Sequence, residues 1–327
     1  MNETPRLAEG GAPLLDNTCA NRLVDEGAPL RTPSALYCAS LWRLGLFLVK
    51  CLPPKLCAQL APLLADMYRS LARRRRQIVI ENLLPALGGD VVEAEKKTKV
   101  LFRQFALKVV DLWRYEAGLP IEHLLGPGHG WEHFEQARAQ HRGLLLLTPH
   151  LGNWEFGGPA LRRLGVNLLV ITLAEPGVGF TQLRKESRAR WDIETLVVGD
   201  DPFAFVEIIR RLEGGATVAL LMDRPPAASA VMVELFGRPF AASVAAAELA
   251  RATGCVLLPV YLPGAGEVYA AHVLPAIPYE RAALRDRQAR QRLTQTIIRV
   301  FEPVIRQHLD QWYHFVPVWS RGGLAGR

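Results

Sequence analysis

The stretch Gly143-Leu-Leu-Leu-Leu-Thr-Pro-His-Leu-Gly-Asn-Trp-Glu-Phe-Gly-Gly158 reads as a short buried strand that ends at Pro149 and leads into a glycine-rich turn. The turn carries His150 and Glu155. Because an imidazole titrates near neutral pH and a carboxylate can hold it in one tautomer, we interpret His150 as a candidate general base and Glu155 as its orienting partner. An isolated histidine is more often structural, but the whole string favours chemistry over packing.

Short apolar runs continue from this stretch to the C-terminal region, and candidate helices lie between them. The predicted strands cover residues 144–147, 168–172, 195–198, 217–222, 231–236, 256–261 and 269–274. The predicted helices cover residues 155–164, 179–190, 202–213, 243–253 and 283–309. This alternation predicts an α/β fold with a mixed, mostly parallel sheet flanked by helices, and with antiparallel pairing near Val231 and Tyr269.

The N-terminal third has a different pattern. Residues 35–118 show helical spacing of apolar side chains, interrupted at Pro53-Pro54, at Pro85 and at Gly88-Gly89, and no alternating strand pattern. We therefore predict an N-terminal helical layer. The expected organisation is a flexible tail (1–34), a membrane-proximal helical layer (35–118), an α/β core (119–321) in one domain with that layer, and a short tail (322–327).

Composition points to an anionic partner and a reducing compartment. Half of the 327 residues are hydrophobic, 22% are charged, and the formal net charge is +7. Five cysteines without a CxxC pair fit a reducing compartment better than a disulfide framework. A basic run, Arg73–Arg76, opens an apolar helix and could dock an anionic membrane or an acidic protein; nucleic acid is disfavoured because no nucleic-acid-binding motif accompanies the run.

The apolar stretch 33–49 carries Arg43 near its centre and is shorter than the roughly 20 residues of a membrane span. A membrane span is therefore the minority interpretation. A helix lying in the membrane interface and an ordinary core helix are equally consistent with the pattern.

Further polar residues stand where ligands could bind. Arg184 and Arg188 are one helical turn apart and could hold a phosphate between them, although a solvated basic face is an equal alternative. Asp223 and Arg224 follow the predicted strand 217–222, and the carboxyl ends of such strands are where open α/β sheets bind ligands.

Two further sets of residues could take part in oxyanion stabilisation or metal binding. Asn153, or backbone N–H groups near Gly152, could face an oxyanion. His123, His129 and His133 lie close together in the sequence but lack the spacing and partners of a metal site, so we expect no metal.

The His150 block, with Asn153-Trp154 inside the HxxxxE spacing, resembles the signature of the bacterial lipid A late acyltransferases, the lauroyl and myristoyl transferases. The resemblance runs from about Leu44 to Trp319 and includes the Arg73–Leu84 segment, Asp223 and Phe236-Gly-Arg-Pro239. Three segments differ from the family. Trp191-Asp192 stands where many relatives keep a glycine. Arg224 replaces a glutamine that usually follows the aspartate, and Phe315-Val-Pro317 replaces basic residues near the tryptophan-rich ending.

The resemblance implies an O-acyltransferase at the cytoplasmic face of the inner membrane, peripheral or anchored through its N-terminus. Such enzymes move a fatty acyl chain from an acyl carrier protein thioester to a hydroxyl of a glycolipid, without a cofactor. Acyl-CoA is a second possible donor. Direct transfer needs no protein nucleophile, which agrees with the lack of a GxSxG elbow in the sequence.

Three alternatives remain open from the sequence. The acceptor could be a lipid A precursor or another membrane lipid, such as a phosphatidylinositol mannoside or an ornithine lipid. The same His-Glu pair could act on water in a thioesterase or lipid hydrolase. A non-catalytic membrane-binding protein would keep the apolar and basic surfaces but would not need His150.

Overall fold

The computed structural model describes residues 37–175, 179–199 and 203–319. The predicted tails, 1–34 and 322–327, lie outside these residues. The N-terminal region is helical, as the spacing predicts: α1 (Ala39–Cys51), α2 (Pro54–Leu71), α3 (Arg73–Leu83) and α4 (Val91–Glu116). Pro53 and Pro54 separate α1 from α2, and a short turn that contains Pro85 and Gly88 separates α3 from α4.

The rest of the described chain alternates strands and helices. Five parallel strands build the main sheet: β1 (Leu144–Thr148), β2 (Leu168–Leu173), β3 (Glu194–Val198), β4 (Thr217–Leu221) and β7 (Val256–Tyr261). The helices before, between and after them are α5 (Trp131–Arg138), α6 (Gly157–Arg162), α7 (Phe180–Ala189), α8 (Phe203–Glu213), α9 (Ala245–Thr253) and α10 (Arg287–Gln307). The remaining strands are β5 (Ala230–Leu235), β6 (Arg238–Ser243), β8 (Gly264–Ala265), β9 (Val268–Tyr269) and β10 (His272–Val273).

The strand order β10-β7-β1-β4-β2-β3 places β1 in the middle of the six-stranded sheet, with β10 as an antiparallel edge strand. All five residues of β1 are buried. Leu145 and Leu147 pack into one hydrophobic cluster and Leu144 and Leu146 into another, so both faces of the strand are covered. A continuous apolar run is the expected sequence of such a strand. The predicted α/β class, its mostly parallel sheet and its helical N-terminal region are thus confirmed.

Two predicted segments differ from the structure. The Phe236-Gly237 dipeptide, with φ of 52° and 72°, forms the tight turn of a β5–β6 hairpin, and the second strand of that hairpin was not predicted. The predicted strand 269–274 is divided into β9 and β10, which belong to different sheets. In both cases backbone pairing with a neighbouring segment decides the outcome, and that pairing leaves little trace in hydrophobic periodicity.

The helical layer packs closely against itself. Helix α1 contacts α4 through Gly45, where a Cβ atom would lie 2.2 Å from the Trp113 ring. Within the described chain, no helix combines the length and apolar character needed to span a membrane.

Candidate active site

His150 and Asp223 lie at the carboxyl ends of two adjacent parallel strands. In the register of β1 and β4, Thr148 is opposite Leu221, so each of the two site residues follows its strand by two positions. The Met222 N–H donates to the Thr148 carbonyl and extends the pairing toward the site. The geometry of a parallel sheet therefore brings the two side chains together.

The Asp223 carboxylate holds the His150 imidazole. His150 Nδ1 lies 2.5 Å from Asp223 Oδ1, and the His150 backbone N–H donates to Oδ2 at 2.9 Å. With the proton on Nδ1, the Nε2 lone pair remains available to accept a proton. Burial lowers the pKa of His150 to about 3; Arg224 acts in the same direction, and Asp223 opposes both. The imidazole is therefore neutral near pH 7, which is the form that a general base requires.

Two residues of the C-terminal segment complete the environment of Asp223. Trp312 Nε1 donates to Asp223 Oδ2 at 3.1 Å, and His314 Nε2 lies 2.8 Å from the same oxygen. Arg224 Nε donates to His314 Nδ1 at 3.4 Å, which fixes the His314 tautomer with its proton on Nε2. Sequence reasoning did not select Trp312 or His314, although an indole and an imidazole in a tryptophan-rich ending offered a signal.

The His150–Asp223–His314 cluster has the composition of a metal site, since its ligand atoms lie within 4.8 Å of one another. In this structure both imidazoles are instead at hydrogen-bonding distance from the carboxylate, at 2.5 and 2.8 Å. Hydrogen bonding alone accounts for the cluster, and we derive no metal chemistry from it.

Glu155 does not orient His150, contrary to the prediction. Its carboxylate accepts two hydrogen bonds from Arg188, at 2.8 and 3.0 Å, and lies 3.7 Å from Arg184. Burial would raise the pKa of Glu155, but Arg188 and Arg184 outweigh it and hold the pKa at about 2. The spacing of five residues leads through a short helical turn, which directs Glu155 toward α7 rather than back to the imidazole.

Arg184 and Arg188 line the cavity but are neutralised by carboxylates of the protein itself. Arg184 pairs with Glu116 at 3.0 Å and with Glu175 at 3.5 Å, and Arg188 is bidentate to Glu155. The predicted phosphate grip between the two arginines is therefore not present in this arrangement. The network connects α4 and α7 to the turn after β1.

The predicted oxyanion donors do not face the cavity. The Gly152 N–H donates to the Gln311 carbonyl, and the Asn153 N–H donates to the Leu262 carbonyl, both at 2.9 Å. The Asn153 side chain is completely buried, next to the Tyr269 hydroxyl. Gly152 has φ of +62°, and a Cβ there would lie 1.9 Å from the Leu262 oxygen, so this turn requires glycine. Both residues support the turn and do not line the cavity.

A large cavity of about 1660 Å³ opens in front of His150. Its apolar walls come from the helical layer and from the strand ends, and the polar groups near the base include Lys108, Glu155 and Arg224. Like Arg184 and Arg188, Arg224 lines this cavity, and one of its guanidinium nitrogens donates to the Tyr313 carbonyl. Asp223 does not line the cavity; its role is to hold His150.

Comparison with known proteins assigns the chain to a family. The family model described as bacterial lipid A biosynthesis acyltransferase matches residues 28–321. The chain belongs to this family. Membership in the lipid A acyltransferase family supports an enzyme that transfers acyl groups.

Among curated proteins, the chain is similar to phosphatidylinositol mannoside acyltransferases of the same family. The Mycobacterium tuberculosis protein is 28% identical over 193 residues, which is 58% of each chain. The Mycolicibacterium smegmatis protein is 25% identical over 190 residues, which is 58% of this chain and 60% of that one. The matched region thus spans less than two thirds of these relatives.

Proposed function

We propose that this protein is an O-acyltransferase that moves a fatty acyl chain from a thioester to a hydroxyl group of a membrane glycolipid. His150 Nε2 takes the hydroxyl proton as the acceptor oxygen attacks the thioester carbonyl, and Asp223 holds the imidazole in the required tautomer. The observation that carries the proposal is the His150–Asp223 pair, joined at 2.5 Å, at the wall of an apolar cavity. The acyl group passes directly from donor to acceptor.

The size of the cavity favours transfer to a lipid over hydrolysis. Pockets for a single small ligand usually measure about 300–1000 Å³, whereas this cavity has about 1660 Å³. A thioesterase needs room for one acyl chain and a water molecule. The larger apolar space supports a site that holds an acyl donor and a lipid acceptor together.

For the donor we propose acyl carrier protein, with acyl-CoA as the alternative thioester. Both are acidic, and the net charge of +7 favours their association. Within the basic run, Arg73 is exposed, whereas Arg75 is buried and donates to the Phe315 carbonyl. Arg73 therefore belongs to the surface that we propose for docking, and Arg75 has a structural role.

For the acceptor we propose a phosphorylated glycolipid at an anionic membrane surface. The family name supports a lipid A precursor, and the names of the curated relatives support a phosphatidylinositol mannoside. We propose that the protein works at the cytoplasmic face of the inner membrane, as a peripheral protein that binds through α1 and α2. These helices expose a set of large apolar side chains: Leu41, Leu44, Phe47, Leu48, Leu56, Leu60, Leu63, Leu64, Met67 and Leu71.

The test is acyl transfer by the full chain and by the His150→Ala variant. Radiolabelled palmitoyl acyl carrier protein and palmitoyl-CoA are each offered with a phosphatidylinositol mannoside or with a lipid A precursor in mixed micelles. We expect labelled acceptor lipid with the wild type and a loss on the order of 10²–10⁴-fold with His150→Ala, as is usual on removal of a general base. The control is His141→Ala, since His141 is an exposed histidine in the turn before β1.

Each outcome has a definite meaning. Retained transfer by His150→Ala would eliminate the mechanism. Free fatty acid as the only labelled product of the wild type would assign the same pair of residues to hydrolysis. The acceptor that becomes labelled identifies the lipid class.

A further inference from the structure

Lys108 is a buried amine at the wall of the cavity. It lies on α4, is 3% exposed, and is surrounded by aromatic rings. Its Nζ is 3.0 Å from the centre of the Trp154 ring, 5.3 Å from that of Tyr313 and 5.9 Å from that of Phe105. Trp154 also packs edge-on against His150, with ring centres 5.0 Å apart. The amine and the base therefore contact the same indole.

Lys108 has no oxygen partner among the residues that the structure describes. No carboxylate lies within 4.0 Å of its Nζ and no oxygen accepts a hydrogen bond from it, whereas the nearby Arg184 and Arg188 both pair with carboxylates. Burial of an ammonium group without a hydrogen-bond acceptor is costly, and aromatic rings compensate only in part. Burial accordingly lowers the pKa of Lys108 well below its usual range, and Glu155 only partly opposes this effect. The N–H groups of Lys108 remain available to an oxygen that a ligand would bring into the cavity.

The reaction needs such a donor. The carbonyl oxygen of a thioester gains negative charge when a hydroxyl attacks, and enzymes of this kind place fixed hydrogen-bond donors against it. The backbone N–H groups of Gly152 and Asn153 already donate to carbonyls of the protein. Lys108 lines the cavity in front of His150, whereas Asn153, whose side-chain amide is also unpaired, does not line it.

We propose that Lys108 is a catalytic residue whose Nζ donates a hydrogen bond to the thioester carbonyl oxygen and stabilises the oxyanion. This inference rests on the proposed acyl transfer. As the acceptor oxygen bonds to the carbonyl carbon, its proton passes to His150 Nε2, and the carbonyl electron pair moves to the oxygen held by Lys108. When the carbonyl re-forms, the carbon–sulfur bond breaks, and the leaving thiolate takes the proton from His150.

The variants Lys108→Met and Lys108→Arg test this role. Methionine keeps much of the side-chain volume and removes the donor, and arginine restores a donor. Lys96→Met is the matched control, because Lys96 is an exposed lysine on the same helix, paired with Glu93. All variants are measured as full chains with radiolabelled palmitoyl-CoA, palmitoyl acyl carrier protein and the acceptor that the wild type uses.

We expect Lys108→Met to lower kcat by roughly 10²- to 10³-fold, the usual effect of losing one oxyanion donor, with KM changed by less than about threefold. Lys108→Arg should recover part of this loss. The urea midpoint of Lys108→Met should equal or exceed that of the wild type, because a buried amine without a hydrogen-bond acceptor has been removed. A lysine that served only the packing would give the opposite combination, with a lower midpoint and an unchanged kcat.

Two results would overturn the assignment while leaving acyl transfer itself intact. One is a kcat for Lys108→Met equal to that of Lys96→Met. The other is a change confined to KM, which would place Lys108 on a lipid or phosphate head group. Absence of transfer by the wild type with every donor and acceptor would instead refute the proposed function, and the role of Lys108 with it.

Discussion

The Asp223 carboxylate accepts four hydrogen bonds, and this set of donors determines both its charge and its orientation. The donors are the His150 backbone and ring, the Trp312 indole and the His314 ring. Burial alone would raise the pKa of Asp223, but charge and hydrogen-bond interactions with His150 and His314 hold it well below its usual range. An ionised, fixed carboxylate of this kind stabilises the imidazolium that forms during proton transfer.

At this scale we predict different consequences for the two acidic residues of the site. Asp223→Asn presents an amide to His150 Nδ1, which moves the imidazole proton to Nε2 and removes the base; kcat should fall by about 10⁴-fold, as wrong-tautomer variants of serine proteases do. Glu155→Gln leaves the buried Arg188 without its charge partner, and the free energy of unfolding should fall by about 3 to 5 kcal/mol.

Steady-state kinetics together with urea unfolding separate the two roles. Glu155→Gln should lose stability and should keep more of its kcat than Asp223→Asn, measured well below the unfolding midpoint. A larger loss of kcat in Glu155→Gln than in Asp223→Asn would restore the pairing that the HxxxxE spacing suggested.

At the scale of elements, α3 positions the C-terminal segment that completes the site. The Asn82 amide donates to the carbonyls of His314 and Val316, and its oxygen accepts from the Val318 N–H. On the other side of this segment the Tyr313 N–H donates to the His150 carbonyl. The segment therefore lies between the helical layer and the turn after β1, where it delivers two donors to Asp223.

Helices α1 and α2 present the apolar face that we propose for membrane binding. Leu63 and Met67 on α2 are 65% and 56% exposed, and insertion of each side chain contributes about 1.5 to 3 kcal/mol. We predict that Leu63→Glu/Met67→Glu lowers the affinity for phosphatidylglycerol-containing vesicles by at least about tenfold in a flotation assay.

The control for membrane binding is Met232→Glu, an exposed apolar residue of the β5–β6 hairpin. It should bind these vesicles like the wild type, and binding of the wild type should weaken at high salt because basic side chains contribute. Equal vesicle binding by the α2 double variant and by the wild type would rule out α2 as the docking face.

At the scale of the whole molecule, the buried site makes stability depend on pH. The pKa of His150 is lowered to about 3, and burial also lowers the pKa of His314. As the pH falls, the two histidines are therefore protonated in the unfolded chain before they are protonated in the folded chain. Their contribution to the free energy of unfolding is present above about pH 6.5 and is lost as the pH falls toward 3. Glu155, with a pKa of about 2, adds a loss of the same sign at lower pH.

Two buried acids act in the opposite direction. Burial raises the pKa of Asp111 to about 6 and also raises that of Glu116. The stability that these two acids contribute at low pH is therefore lost as the pH rises. His272 and His308, whose pKa values are lowered by burial, add to the effect of the site histidines.

We predict that the urea midpoint falls as the pH is lowered from 7 to 5. The four histidines with lowered pKa values outweigh the two acids with raised pKa values, so the unfolded chain binds more protons than the folded chain in this range. The His314→Gln variant keeps an N–H donor near Asp223 but removes one titrating group, and its midpoint should depend less steeply on pH. A wild-type midpoint that stays constant or rises between pH 7 and 5 would contradict this balance.

Local pattern determined much of the architecture. The continuous apolar run Leu144–Leu147 indicates a strand buried on both faces, and the helical spacing of residues 35–118 indicates a helical layer. Both can be predicted because burial and backbone periodicity determine where apolar residues stand along a short segment. The same logic placed His150 and Asp223 at strand ends. The His150–Asp223 pair itself was not predicted, since it depends on which strands are neighbours and in which register.

The tertiary structure alone decided the partners of the charged groups. Spacing along the chain suggested Glu155 as the partner of His150 and a phosphate as the partner of Arg184 and Arg188. In the folded protein Glu155 pairs with the arginines, and Asp223 is hydrogen-bonded to the imidazole. Trp312 and His314 arrive from about 90 residues beyond Asp223. Sequence by itself determined which side chains this protein has and where its strands end. The packing of α3, α4, α7 and the C-terminal segment around β1 determined which of those side chains meet. The physical reason is that hydrogen bonds and ion pairs between distant residues form only after the sheet has set their distances.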